Sequence, residues 1–219
     1  MKSKRVEKKN KGVFITFEGG EGAGKTTLIH RIFEALSQKG YHLMETLEPG
    51  GCELGKDIRK LLLHQTMSSL SPYSELFLYL ADRAQHVQEI ILPALESGQI
   101  VLCDRFNDST MAYQGAARSL DLELIKNLCE LAASGLVPDL TFYLDLDPEV
   151  GLKRAMMKKT YDRLEEEAIE FHLEVRKAFL SLAKSFPKRI EVIDATLEAD
   201  EVFSWVLQKV EAYLCSKDF

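Results

Sequence analysis

The sequence has few cysteines and they form no pattern. Cys52, Cys103, Cys129 and Cys215 are scattered through 219 residues with no CxxC pair, which argues against a disulfide framework or a zinc site and for reduced thiols. The five histidines, at 30, 42, 64, 86 and 172, fall at no metal-ligand spacing. No apolar run approaches the roughly eighteen residues needed to span a bilayer, so no membrane association is expected. The apolar stretch Val13 to Phe17 stops at Glu18, too short for the core of a signal peptide. Basic residues are also scarce beyond the first twelve positions. Those twelve hold six bases and one acid of the chain's 28 Lys+Arg and 34 Asp+Glu, so the other 207 carry 22 and 33, a net charge of −11. A body so acidic is a poor binder of nucleic-acid backbones, and any anionic ligand needs a local basic pocket. Residues 1–12 read as a basic, disordered, solvated tail, and the cytoplasm is the expected compartment.

What is present suits one well-cored domain over residues 13–219, since 46% of the chain is hydrophobic. Short apolar runs alternate with helical patterns, the signature of βαβ units around a parallel sheet. Strands are expected at Val13–Glu18, Tyr41–Thr46, Gln99–Asp104, Leu140–Leu146 and Arg189–Ile193. After the first strand, Leu28, Ile29, Ile32, Phe33 and Leu36 recur at helical spacing, with Gly40 placed to cap that helix. A longer helix opens at Ser71-Pro72 and runs to Gly98, with Leu76, Leu80, Ala84, Val87 and Ile91 on one stripe and Pro93 placed to kink its last turn. Further helices are expected over 54–63, 121–133, 148–157, 162–185 and 198–214.

Directly after the first strand stands Gly19-Gly20-Glu21-Gly22-Ala23-Gly24-Lys25-Thr26-Thr27, which fits G-x-x-x-x-G-K-[ST] and opens the first helix. Glycines there let successive N–H groups turn inward around a phosphate, Lys25 reaches the β and γ phosphates, and the Thr26 hydroxyl suits Mg²⁺. The helix N-terminus adds its positive end. A nucleotide is thus the expected ligand of residues 19–27. At the end of the third strand comes Asp104-Arg105, a carboxylate for Mg²⁺ and a cation for a phosphate at the edge where open α/β sheets bind ligands.

The segment Asp104-Arg105-Phe106-Asn107-Asp108-Ser109-Thr110-Met111-Ala112-Tyr113-Gln114-Gly115 resembles the DR(Y/F)xxS(S/T)xAYQG motif of thymidylate kinases. So do Phe17-Glu18-Gly19, Glu48-Pro49-Gly50-Gly51, Ile58-Arg59-Lys60-Leu61-Leu62 and Ala81-Asp82-Arg83-Ala84-Gln85-His86, in matching order from about Val13 to the C-terminus. The resemblance implies a P-loop NTPase fold of α/β class, a five-stranded parallel sheet with helices on both faces, usually as a homodimer. It also implies γ-phosphate transfer from ATP to dTMP, with Mg²⁺, giving ADP and dTDP. Carried over residue by residue, Arg83, Tyr79, Thr110 and Gln114 look like contacts of the thymine base, Arg59 and Arg105 like ligands of the dTMP phosphate, and Glu48 and Glu21 like acids that organise Mg²⁺ and the moving phosphate. Tyr79 and Arg83, four apart, share one helix face and are expected beside the apolar stripe rather than in it.

Two segments depart from the family pattern. Leu47 stands where an arginine usually precedes the glutamate of EPGG, and the expected lid at about 153–164 has Met156 and Lys158 where arginine is frequent. Two other functions share parts of this pattern: a deoxynucleoside kinase, which Arg59 and Arg105 disfavour because a neutral hydroxyl would leave both cations unpaired, and a nucleotide-gated module without turnover. Asp194-Ala195-Thr196 is a candidate for the adenine side, alongside an ordinary strand-to-helix turn. Gly22 occupies the loop position where some thymidylate kinases carry an arginine, so the remaining cations are expected from the lid: Arg154, Lys158, Lys159 and Arg163. Neutralising Lys158 and Lys159 together is therefore expected to lower kcat at least about tenfold in a coupled ADP-release assay, whereas a kcat within about twofold of wild type would move that role to the arginines.

Overall fold

The computed structural model describes residues 12–63, 70–157, 163–217 and 219. Its elements run β1 (Val13–Gly19), α1 (Lys25–Gln38), β2 (Leu43–Leu47), α2 (Glu53–Leu63), α3 (Pro72–His86), α4 (Leu92–Glu96), β3 (Ile100–Asp104), α5 (Asn107–Thr110), α6 (Leu122–Ala132), β4 (Leu140–Asp145), α7 (Pro148–Met156), α8 (Ile169–Ser185), β5 (Ile190–Asp194) and α9 (Ala199–Ser216). All five expected strands form, and they pair in parallel in the order β2-β3-β1-β4-β5.

The central strand β1 is buried along its whole length, and its alternate residues serve opposite layers. Val13, Ile15 and Phe17 pack with Leu28, Ile32 and Leu36 of α1 and Val202, Val206 and Val210 of α9. Phe14 faces the other way, onto Val87, Ile91 and Phe106. Thr16 meets Thr141 of β4 through their hydroxyls at 2.7 Å, satisfying both inside the sheet.

Three helical expectations need correction. The long helix is not continuous: α3 passes through a π-helical turn at Val87–Ile91 into α4, which accommodates the N–H missing at Pro93. The helix expected from Asp162 begins at Ile169, because Arg163 is instead tied by its Nε to Leu62 O at 2.9 Å. The stretch 107–117, given no helix from its sequence, forms α5 followed by a π-helical turn at Met111–Ala117. It is buried on several sides, with Asp108, Ser109, Thr110 and Gln114 all inside, so it carries no single apolar stripe to reveal it.

The order of strands puts the carboxyl ends of β1, β3 and β4 along one edge, with the glycine-rich loop leaving β1 there. This loop is seated on α7. A Cβ built on Gly151 would lie 2.3 Å from Glu21 O, and one built on Gly22, whose φ is +66°, would lie 2.1 Å from Gly151 O. Backbone meets backbone at that point, and no side chain fits at either position. Gly151→Ala is expected to displace the loop, lowering stability by about 1–3 kcal/mol and raising the KM for ATP at least about fivefold. Thermal melting and steady-state kinetics check this, and an unchanged KM for ATP would show that the loop tolerates the shift.

Candidate active site

The loop closes around its own lysine. Gly24, at φ +91°, caps α1 at its N-terminus, and Lys25 Nζ donates to Gly19 O at 3.0 Å and Gly20 O at 2.9 Å. Lys25 is 7% exposed, and burial, then Arg105, lower its pKa. Next to it the Thr26 hydroxyl donates to Asp104 Oδ2 at 2.8 Å. A cleft of about 640 Å³ is lined by Glu21 to Thr27 of the loop, by Asp104 and by Arg154.

A second, narrower cavity of about 90 Å³ adjoins it, walled by Tyr79, Arg83, Thr110, Tyr113, Gln114 and Leu164. Four side chains line both spaces: Glu21, Glu48, Arg59 and Arg105. Arg105 is held in the left-handed region at φ +71°, uncommon for a residue with a side chain. From there Nη1 donates to Gly19 O at 3.0 Å and Nη2 to Glu21 Oε1 at 2.6 Å. The Tyr113 hydroxyl donates to the same Oε1 at 2.9 Å. Burial opposes the charge of Glu21, but Arg105, Lys25 and Tyr113 together hold its carboxyl down at about 2. Arg59 Nη1 donates to Pro49 O at 2.7 Å.

Beneath the narrow cavity lies a buried polar network. Arg83 is 2% exposed, and its Nε donates to Glu48 Oε2 at 2.8 Å while Nη1 donates to Thr110 Oγ1 at 2.9 Å. Arg83 thus lies in a polar stripe beside the apolar one, buried, with its charge compensated by Glu48. His86 joins Glu48 Oε1 through Nδ1 at 2.9 Å and Thr46 Oγ1 through Nε2 at 2.7 Å.

Most of the expected site residues converge here. Residues 19–27, Glu48, Arg59, Tyr79, Arg83, Asp104, Arg105, Thr110, Gln114 and Arg154 all line one or other cavity or build its loop. Arg154 Nη1 reaches Ala195 O at 3.5 Å, tying the loop side to the turn after β5. Arg163 does not join them: its Nη2 donates to Glu75 Oε2 at 2.6 Å, on the side of Gln114, whose Nε2 donates to Glu75 Oε1 at 2.8 Å. A carboxylate with bidentate capacity holds Arg163 there. Lys158 and Lys159 lie outside the described residues. Leu47 lines the loop cleft, and Met156 is exposed at the end of α7. Another cavity, of about 660 Å³, is lined by Met111, Leu136, Val137, Leu182 and Phe186. It includes no loop residue, and we do not read it as a nucleotide site.

Sequence reading missed Glu75, which gathers Gln114, Arg118 and Arg163, and gave Tyr113 no role. The signal was available for the first: Glu75, Tyr79, Arg83 and His86 recur at helical spacing, a polar stripe running beside the apolar one. Among the described residues no group of three or more His, Cys, Asp or Glu could hold a metal by itself.

Asp82 offers a pH test of this network. It is fully buried, its Oδ1 accepts from Gly50 N at 3.0 Å, and Oδ2 has no partner among the described residues. Burial and the nearby Glu48 push its carboxyl from the ordinary 3.8 up to about 6. A folded-state value above the unfolded one favours folding fully below the unfolded pKa, and the benefit is lost as pH rises through about 6. Asp82→Asn, which keeps the acceptor for Gly50, is expected to raise Tm at pH 7.5, with the gain shrinking toward pH 5. A gain independent of pH would show that Asp82 does not titrate in this range.

The model of the family "Thymidylate kinase" matches residues 17–206. A thymidylate kinase of Protochlamydia amoebophila is 50% identical over 214 residues, covering 94% of this chain and 93% of its own. One of a Synechococcus species is 53% identical over 202 residues, covering 92% and 96%. The crystal structure of thymidylate kinase from Ehrlichia chaffeensis superposes with a TM-score of 0.75 at 36% identity, covering 91% of this chain and 99% of that one. With its phosphate loop joined through Glu21, Glu48, Arg59 and Arg105 to a narrow second cavity, and with these relatives, the chain belongs to the thymidylate kinase family.

Proposed function

We propose that this protein transfers the γ-phosphate of ATP to the phosphate of dTMP, giving ADP and dTDP, and that the transfer takes place where its two cavities meet. The observation that carries this reading is the set of four side chains common to both spaces, two arginines and two glutamates. A nucleotide monophosphate in the narrow cavity would place its phosphate against Arg59 and Arg105 and its base among Tyr79, Arg83 and Gln114. ATP would lie along residues 19–27, with Lys25 exchanging the carbonyls of Gly19 and Gly20 for phosphate oxygens.

Thr26 and Asp104 fit a divalent cation: two hard oxygen donors converge at 2.8 Å on the rim of the loop cleft. Thr26 and Asp104 would hold Mg²⁺ at this rim, where it would supply charge neutralisation for the phosphoryl group being moved. The chain's own residues do the positioning. Arg105, fixed by Glu21 and Gly19 O, holds the acceptor phosphate in line for transfer. Arg154, beside Ala195, supplies a cation from the loop side, and we assign the lid role at 153–164 to it and to Lys158. Residues 13–219 act as one domain; of the expected tail, residues 1–11 lie outside the described residues, and Gly12 is held against the domain, its N–H donating to Leu95 O at 2.9 Å. Exposed apolar side chains on three neighbouring elements, Leu54 and Leu61 of α2, Tyr73 and Phe77 of α3, and Leu124 and Leu131 of α6, support a homodimer built through that face. Free thiols at all four cysteines suit the cytoplasm.

A coupled ADP-release assay with dTMP, thymidine, dUMP, dCMP and AMP tests the assignment. Turnover is expected with dTMP, at least about a hundredfold above thymidine, because a neutral hydroxyl leaves Arg59 and Arg105 unpaired. Lys25→Met is expected to abolish it. Equal rates with thymidine would favour a deoxynucleoside kinase, and no turnover with any acceptor would favour a binding module.

A further inference from the structure

The arginine at the junction of the two cavities sits in a strained turn, and one carboxyl lies directly behind that turn. Glu18, the last side chain of β1 before the loop, is fully buried. Its Oε1 accepts the N–H of Phe106 at 2.8 Å, and its Oε2 accepts from the Ser109 hydroxyl at 2.5 Å. Ser109 in turn accepts from Arg105 Nη1 at 3.3 Å. Glu18 therefore grips the chain immediately after Arg105 and, through Ser109, the guanidinium itself. The left-handed conformation of Arg105, φ +71°, is unfavourable for a residue with a Cβ. Something must over-determine it, and Glu18 is the side chain in contact with both following points.

We propose that Glu18 is a positioning residue for phosphoryl transfer, clamping the Arg105 turn through its hydrogen bonds to Phe106 N–H and the Ser109 hydroxyl rather than through its charge.

The surroundings favour the neutral form. Burial comes first, then the carboxylate of Asp108, held beside Glu18 by a bidentate pair with Arg189 at 2.6 and 2.8 Å. Together they push the carboxyl up to about 8, against the opposing pull of Arg105 and of the hydrogen bonds from Ser109 and Phe106. Lys25, Arg83 and Arg189 are the other cations that feel its charge. A protonated Glu18 still accepts from Phe106 through one oxygen and donates to Ser109 through the other. A glutamine does both, with its Oε1 and Nε2 in the same places.

This inference rests on the reading of Arg105 as the acceptor-phosphate arginine, and the two fail differently: a wild-type enzyme that uses thymidine as well as dTMP sinks that reading, while the variants below judge Glu18. Kinetics on the full chain at pH 7 compare Glu18→Gln with Glu18→Leu. Glu18→Gln is expected to keep kcat/KM for dTMP within about threefold, and Glu18→Leu to raise the KM for dTMP at least about tenfold while the KM for ATP moves less than threefold. If Glu18→Gln is as defective as Glu18→Leu, the charge carries the role and the proposal is overturned. It is also overturned if Glu18→Leu lowers Tm but leaves both KM values unchanged, or raises them equally. Should Glu18→Leu not fold, Ser109→Ala decides: a rise of at least about threefold in the KM for dTMP alone supports the clamp, and no change overturns it.

Discussion

The site depends on the register between β1 and β3. Phe17 lies opposite Asp104, the N–H of Arg105 donates to Phe17 O at 2.9 Å, and β3 ends there while β1 runs two residues further beside β4, with Gly19 opposite Leu144. From that pairing the glycine-rich loop and the Asp104-Arg105 turn emerge side by side. Thr26 can reach Asp104, and Arg105 can reach Gly19 O and Glu21, only because the two strand ends are fixed against each other by sheet hydrogen bonds. A slip of one residue would turn each side chain to the opposite face. The glycine-rich loop and the Asp104-Arg105 turn are thus positioned by a rigid element.

Behind that edge the protein keeps a buried set of polar and ionisable side chains: Glu48, Arg83, His86 and Asp82, with Glu75 gathering Arg118 and Arg163 at the other end of α3. Ionic groups taken out of water are a poor source of stability, since desolvation offsets most of the attraction. Their value is geometric. Arg83, pinned by Glu48 and Thr110, holds α3 and the turn after β2 against the helix that starts at Asn107. Removing one partner would leave an uncompensated charge, so the network constrains the narrow cavity more sharply than apolar packing would.

Much of this was legible in the sequence, for reasons that differ by element. The strands were readable because a parallel sheet covered on both faces writes continuous apolar runs, as in Ile100-Val101-Leu102-Cys103. The loop was readable because its glycines are required by backbone geometry at Gly22 and Gly24. The helix over 107–117 was not, since its inward residues are polar and a π-helical turn shifts its period. The burial of Arg83 and the clamp by Glu18 were invisible for another reason: both depend on partners dozens of residues away, which periodicity does not report. Arg163, placed by the family pattern near ATP, is drawn to Glu75, a carboxylate whose role only the fold discloses.

The central claim is that a donor and an acceptor nucleotide occupy one continuous channel meeting at Arg59, Arg105, Glu21 and Glu48. Calorimetric titration with an adenosine and a thymidine joined through five phosphates tests it most directly, because joining two ligands strengthens binding only when both subsites are filled at once. We predict one molecule bound per chain in the presence of Mg²⁺, at least about a hundredfold more tightly than dTMP alone, with the gain lost when thymidine is replaced by cytidine. Binding no tighter than that of ATP, or indifferent to the second base, would contradict the account.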